Sequence, residues 1–319
     1  MSFVSQLFLG VLRLFPFVPH SNWSIHQQRD VLEFYARLLL HTPPGVRIGF
    51  AAAGGPRAEW LIPERNTPDQ VILYLHGGAY TVGSPRTHRE MVGYLSLFAR
   101  TRALVVDYRL APEHPFPAAL EDALAAYHHL QRLGYPPHKI AFAGDSAGGG
   151  LAMATLLALR DRGEPLPAAA ALMSPWTDLA GVGESVKTHE TRDPLINPAD
   201  LPVAARLYLR DLDPRHPYAS PLYGDFHGLP PILVHVGTEE ILYTDSTRLV
   251  ERLLEDGVDA KLVVWEGMWH VFQLFTLRVP ESWRSLRQMG SFLHHHLSRA
   301  QAEETNPQSI QKEKVPVQP

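Results

Sequence analysis

The sequence predicts an α/β fold with a mostly parallel central sheet, helices on both faces and a helical cap. Three observations point there. Short continuous apolar runs recur along the chain, as strands buried on both faces require. Stretches with helical spacing alternate with them, the pattern of strand–helix–strand units. Third, the run Lys139-Ile140-Ala141-Phe142-Ala143 leads through Gly144-Asp145-Ser146-Ala147-Gly148 into the apolar stretch Leu151–Leu159. That is a G-x-S-x-G pentapeptide between a strand and a helix, the context of a nucleophile elbow.

Residues up to about His41 have helical character, with Val31, Leu32, Phe34, Tyr35, Leu38 and Leu39 at helical spacing. Pro43-Pro44-Gly45 ends that part. Val46 to Ala51 and Ala58 to Ile62 form an opening antiparallel pair around Gly54-Gly55-Pro56. Val71–Leu75, Ala103–Val106, Ala168–Met173, Ile232–Val236 and Ala260–Val264 are the further strands. Helices are expected over about Arg89–Ala99, Ala118–Leu133 and Ala147–Arg160. From about Pro175 to Pro230 the chain is rich in proline and has no buried-strand run, with one helix at Leu201–Leu209. This is an insertion over the carboxyl ends of the strands. The expected organisation is cap helices over 1–45, core over 46–175, cap insertion over 176–222, core again over 223–300, and a disordered tail over 301–319.

The apolar N-terminus (Phe3-Val4, Leu7-Phe8-Leu9, Val11-Leu12, Leu14-Phe15) has neither the positive start nor the small-residue cleavage site of a signal peptide. Arg13 and Pro16 interrupt it, so it makes a poor membrane span. Its polar face carries little cationic charge, and it is taken as a cap helix rather than a membrane-surface helix.

At 319 residues, one α/β domain of roughly 250 residues plus an appendage fits the usual size limits. Hydrophobic residues make up 45% and charged residues 19%, which excludes a disordered chain. The formal net charge is −4 with no run of Lys and Arg, so nucleic acid is not an expected partner. The chain has no cysteine, which rules out disulfides, thiolate metal sites and a cysteine nucleophile. This fits a cytoplasmic location.

A serine nucleophile needs a base, and in this strand–turn–helix context the chain order is serine, acid, histidine. There are 17 histidines. His128 and His129 lie within a helix, His138 precedes a strand at its wrong end, His235 lies inside a strand, and His294–His296 sit on a late helix. His270, in Gly267-Met268-Trp269-His270, follows the last strand at its carboxyl end, the edge where Ser146 also sits. The acid belongs after the preceding strand, where Glu239 and Glu240 both stand. Asp245 is read as capping the helix that follows. His76-Gly77-Gly78-Ala79 directly follows the Val71–Leu75 strand, where backbone N–H groups can converge on one oxyanion. The expected donors are Gly77, Gly78 and Ala147, with His76 supporting the loop.

Several segments together resemble the hormone-sensitive-lipase-like branch of the α/β-hydrolases, which contains many bacterial carboxylesterases. They are His76-Gly77-Gly78-Ala79-Tyr80, Asp107-Tyr108-Arg109-Leu110-Ala111-Pro112-Glu113, Gly144-Asp145-Ser146-Ala147-Gly148-Gly149 and Gly267-Met268-Trp269-His270. Ser174-Pro175-Trp176-Thr177-Asp178 and Asp193-Pro194 are further family-like features. The resemblance spans about Val46 to Leu297. Ala79 replaces the third glycine of the usual His-Gly-Gly-Gly, and Glu240 stands where an aspartate is usual, two residues before Leu242. The resemblance thus selects Glu240 over Glu239. It implies an α/β-hydrolase fold and a serine carboxylesterase acting on short- to medium-chain esters. Ser146, Glu240 and His270 would be the triad, and no metal or cofactor would be needed. An amidase or deacetylase would use the same site. A ligand-binding receptor on this fold is a further alternative, against which the retained His270 argues. A homodimer through the edge near Ala260–Val264 is possible by the same analogy. The Tyr108–Glu113 segment is expected to be structural, held by ion pairs of Arg109 and Glu113.

Overall fold

The computed structural model describes residues 1–14 and 23–305, and side chains over 1–13 and 23–299. Eight strands form one sheet: β1 (Val46–Ala52), β2 (Arg57–Pro63), β3 (Val71–Leu75), β4 (Arg102–Asp107), β5 (Ile140–Asp145), β6 (Ala170–Met173), β7 (Ile232–Gly237) and β8 (Ala260–Trp265). Their order is β1-β2-β4-β3-β5-β6-β7-β8. β2 is antiparallel to both β1 and β4, and every other pairing is parallel. The helices are α1 (Phe3–Leu14), α2 (Ile25–Leu39), α3 (Pro85–Ala99), α4 (Ala118–Arg132), α5 (Ser146–Asp161), α6 (Ser185–Thr188), α7 (Asp200–Leu209), α8 (Tyr243–Glu255) and α9 (Pro280–Thr305).

Both faces of the sheet are covered, which is why its strands read as unbroken apolar runs. On β3, Val71, Leu73 and Leu75 pack into the layer built with α4, α5 and α8. Ile72 and Tyr74 point the other way, into the layer of α3 and α9. All five are fully buried, and each side chain of this size stabilises the fold by about 1.5–3 kcal/mol. The alternation of faces is the two-residue period of a strand.

The order of the strands sets the position of the site. From β3 the chain crosses to β4 on one side, then to β5 on the other. The loops leaving β3 and β5 therefore diverge, and a crevice opens at the carboxyl ends of these neighbouring strands.

Three local expectations change. α3 starts at Pro85, four residues before the expected Arg89. Ser84 caps it, accepting from Thr87 N at 3.3 Å, and Pro85 fits the first turn, where a missing N–H costs nothing. Asp245 does not cap its own helix. Its Oδ2 accepts from Thr177 N and Asp178 N, both at 3.0 Å, and Arg248 pairs with both Asp245 and Asp178. The carboxylate thereby ties the start of the insertion to α8. The tail expected from residue 301 begins as five further residues of α9, and the rest of it lies outside the described residues, as do residues 15–22 between α1 and α2.

Candidate active site

Ser146 follows β5 as the first residue of α5, with φ +50°, a left-handed conformation unusual for a residue with a side chain. The turn holds because its glycines let strand, helix and neighbouring loop meet. A Cβ on Gly148 would lie 2.1 Å from Leu75 O and 2.4 Å from His76 O, and one on Gly144 would lie 2.5 Å from Gly148 O. Ser146 lines a cavity of about 550 Å³ at the end of the strands. The start of α5 directs its free N–H groups, including that of Ala147, toward the same end.

His270 lies in the loop after β8 and lines the same cavity. Its Nδ1 donates to Glu240 Oε2 at 2.9 Å, so Nε2 is the ring nitrogen left for Ser146. The Glu240 side chain is completely buried. Its Oε1 accepts from the Ser174 hydroxyl at 2.9 Å and from Gly237 N. Glu239 is turned elsewhere, and its carboxylate accepts from the Thr238 hydroxyl at 3.1 Å. Burial pushes the His270 imidazole down. Glu240, with the carboxylates of Asp193 and Asp145 behind it, outweighs this and sets its pKa above the usual histidine value.

The turn after β3 departs from expectation at one donor. Gly77 N donates to Asp145 Oδ1 at 3.0 Å, and Gly77 does not line the cavity. Gly78 and Ala79 do line it, and their N–H groups meet no acceptor among the described residues. Gly78 and Ala79 thus present free N–H groups at the cavity, and Ala147, beside Ser146 at the start of α5, is the remaining candidate donor of those expected. Gly77 instead fastens the turn to the elbow. His76 has the supporting place expected of it. Its Nδ1 donates to Gly77 O at 2.7 Å, its ring stacks on Tyr108 at 4.3 Å, and Tyr108 donates to His76 O. Burial pushes its pKa down to about 3, so it is neutral.

Sequence reasoning missed three side chains. Asp145, between Gly144 and Ser146, is buried and accepts from Tyr74 OH at 2.6 Å, Gly77 N and His88 Nε2 at 3.2 Å. Burial pushes its carboxyl up, but His88 and Tyr74 hold it below the ordinary aspartate value. Ser174 bridges acid and base. It donates to Glu240 and accepts from Val271 N at 3.2 Å, next to His270. Asp193 reaches from the insertion to the acid loop, accepting from Leu195 N, Ile196 N and Ile241 N. Burial pushes its carboxyl up to about 6. Ser174 and Asp193 stand inside family-like segments, and that was the available signal.

Beyond the polar end, the cavity is walled by Phe8, Val11 and Leu12 of α1, Leu32, Tyr35 and Leu39 of α2, and Leu201, Val203 and Leu207 of α7. Among the described residues, one group has metal-ligand spacing: Asp225, His227 and Asp256. None of them lines the cavity, and Arg160 already approaches Asp225 at 3.6 Å.

A family model described as the α/β-hydrolase fold matches residues 72–274. The chain is 46% identical over 254 residues to an acetyl-hydrolase of Streptomyces hygroscopicus, covering 80% of this chain and 84% of that one. It is 37% identical over 272 residues to an esterase of Acinetobacter venetianus, covering 85% and 89%. Among solved structures, an esterase from the bacterial hormone-sensitive lipase family matches with a TM-score of 0.89 at 42% identity, covering 93% of this chain and 99% of that one. EstE5, in a crystal soaked with p-nitrophenyl butyrate, matches with a TM-score of 0.89 at 38% identity, covering 93% and 100%. With this coverage, and with the elbow, histidine loop and glycine turn brought to one cavity, the chain belongs to the α/β-hydrolase family, in its bacterial hormone-sensitive-lipase branch.

Proposed function

We propose that this protein is a serine carboxylesterase that hydrolyses short- to medium-chain carboxylic esters through an acyl-enzyme intermediate. The observation that carries the reading is one cavity lined by Ser146, His270 and the backbone of Gly78 and Ala79. Ser146 Oγ attacks the ester carbonyl, and His270 Nε2 takes its proton. Glu240, accepting from Nδ1, holds the required tautomer and stabilises the imidazolium that forms. The oxyanion accepts from the N–H groups of Gly78, Ala79 and Ala147, each such donor being worth about 2.7–4 kcal/mol in the transition state. His270 then protonates the leaving alcohol. Water, deprotonated by His270, releases the acid through the same oxyanion site.

The apolar walls from α1, α2 and α7 suit an acyl or alkyl group, and a cavity of about 550 Å³ supports one of limited length. The Streptomyces relative, an acetyl-hydrolase, favours small acyl groups as a second reading, with an acetylated alcohol or amine as substrate.

The test is hydrolysis of p-nitrophenyl esters from acetate to palmitate by wild type and Ser146→Ala side by side. Turnover of the short esters by wild type alone is expected. Equal activity in Ser146→Ala would overturn the mechanism, and a preference for palmitate would overturn the size limit. Two expectations accompany the chemistry. The lack of cysteine suits a cytoplasmic location. The free edge of β8 suits a homodimer, which a sizing experiment checks. Among the described residues, no helix is long and apolar enough to cross a membrane.

A further inference from the structure

The turn that carries Gly78 and Ala79 is held in an unfavourable shape by something outside itself. Ala79 and Tyr80 both have left-handed backbones, with φ +52° and +61°. Such residues cost free energy and persist where the surroundings over-determine them. Within the turn, Thr81 N and Val82 N both donate to Gly78 O, which closes it but leaves the carbonyls of Tyr80 and Thr81 pointing outward.

Those carbonyls are gathered by one side chain and its neighbour. Arg29, on α2, donates from Nε to Thr81 O and from Nη2 to Ala111 O, both at 2.8 Å. Ala111 N in turn donates to Tyr80 O at 2.8 Å. The guanidinium is aligned by Glu113, which accepts from Nη1 and Nη2 at 2.8 Å each. Arg29 beside it holds the Glu113 carboxyl down at about 2. Four directed bonds from one planar fork thus join a cap helix, the glycine turn and the Ala111–Glu113 loop, a task a lysine ammonium does not match.

We infer that Arg29 is a positioning residue for the reaction: from the cap helix it holds the turn in the shape that aims Gly78 N–H and Ala79 N–H at the oxyanion. The inference rests on the esterase reading above. Its consequence is that the cap and the oxyanion donors move together. A cap helix that leaves its seat takes with it the bond to Thr81 O in the turn and the bond to Ala111 O in the loop that holds Tyr80 O. The second cap segment grips the same turn, because Tyr208 of α7 stacks on Tyr80 with ring centroids 3.8 Å apart.

The test uses the full-length protein with three variants: Arg29→Met, Arg29→Lys and Glu113→Gln. Each is assayed with p-nitrophenyl acetate, and the affinity of an alkyl boronic acid, which bonds to the serine and places an oxygen at the oxyanion donors, is measured alongside. Displacing donors by about 1 Å costs on the order of 100-fold. Arg29→Met is therefore expected to lose roughly 10- to 100-fold in kcat with KM little changed, and to lose boronate affinity in proportion. Arg29→Lys should fall between, and Glu113→Gln should stay within about threefold of wild type because the bonds to Thr81 O and Ala111 O survive.

The inference is overturned if Arg29→Met keeps wild-type kcat while only its melting temperature falls, or if KM rises at constant kcat. It is also overturned if Glu113→Gln loses more than Arg29→Met, which would place the effect on the carboxylate rather than on the guanidinium. Should Arg29→Met fail to fold, the boronate affinity and kcat of Arg29→Lys decide, and wild-type values for both sink the idea. Absence of ester turnover in wild type would instead remove the esterase reading itself, so the two failures are distinguishable.

Discussion

The two halves of the cavity are made in different ways. The polar half is backbone and buried charge at the ends of β3, β5, β7 and β8, where Glu240 is completely buried and a Cβ on Gly148 would collide with two carbonyl oxygens. The apolar half is side chains on α1, α2 and α7, which reach the site from the N-terminus and from the insertion. Some of those helices still show apolar residues to solvent: Phe3, Leu7 and Val11 on α1, Phe34 and Leu38 on α2. Bond-making groups thus sit where the sheet tolerates no change. Groups that select the substrate sit where side chains can be exchanged without touching the sheet.

Substitutions across this divide should differ in kind as well as size. The largest effect belongs to Ser146→Ala, for which ester hydrolysis should fall by about 10⁶ in kcat with the fold intact by circular dichroism. Glu240→Gln should fall by about 10⁴, since a neutral amide fixes the wrong His270 tautomer. A small loss there would show that the buried carboxylate is only structural. Gly148→Ala should destabilise the protein by about 3 kcal/mol or more, because backbone rather than a movable side chain blocks the new methyl. A melting temperature within a degree or two of wild type would break the contrast.

The cap half predicts a milder outcome. Leu207→Trp should leave p-nitrophenyl acetate turnover within a few-fold and cut octanoate turnover by about 10- to 200-fold. Equal losses on both esters would mean that the cap shapes the chemistry itself. The smallest effect is one of pH. His270 must be neutral to take the serine proton, and its pKa is raised, so activity should be lost as pH falls through a value above the usual histidine range. Asp193→Asn removes a negative charge facing His270 and should move that acid limb to lower pH, read from a kcat/KM profile.

How much of this was readable in the chain divides along the same line. The strands, the elbow and the places of Ser146 and His270 follow from local pattern and chain order. The choice of Glu240 over Glu239 came from resemblance, and the buried Glu240–His270 contact agrees with it. What local pattern could not supply was the destination of each polar group. Gly77 was expected to face the oxyanion, but its N–H is taken by Asp145, 68 positions later in the chain. Asp245 was expected to cap its own helix and instead holds Thr177 and Asp178, again 68 and 67 positions away. Both errors have one cause. A short acidic side chain satisfies whichever N–H groups the fold brings nearest, and sequence spacing carries no record of them. The cap cavity was likewise invisible in detail, because its walls come from stretches nearly 200 residues apart.

The placement of the nucleophile on β5 and the oxyanion turn on the adjacent β3 has a stereochemical meaning. In the proposed reaction a planar ester carbonyl caught between them, with its oxygen at Gly78 and Ala79 and its leaving oxygen toward His270, can offer only one of its two faces to Ser146. The sheet therefore decides the handedness of the tetrahedral centre for every substrate alike. Discrimination between mirror-image esters is left to the helices that hold the rest of the molecule, so enantiomer preference should change with substitutions in α1, α2 and α7.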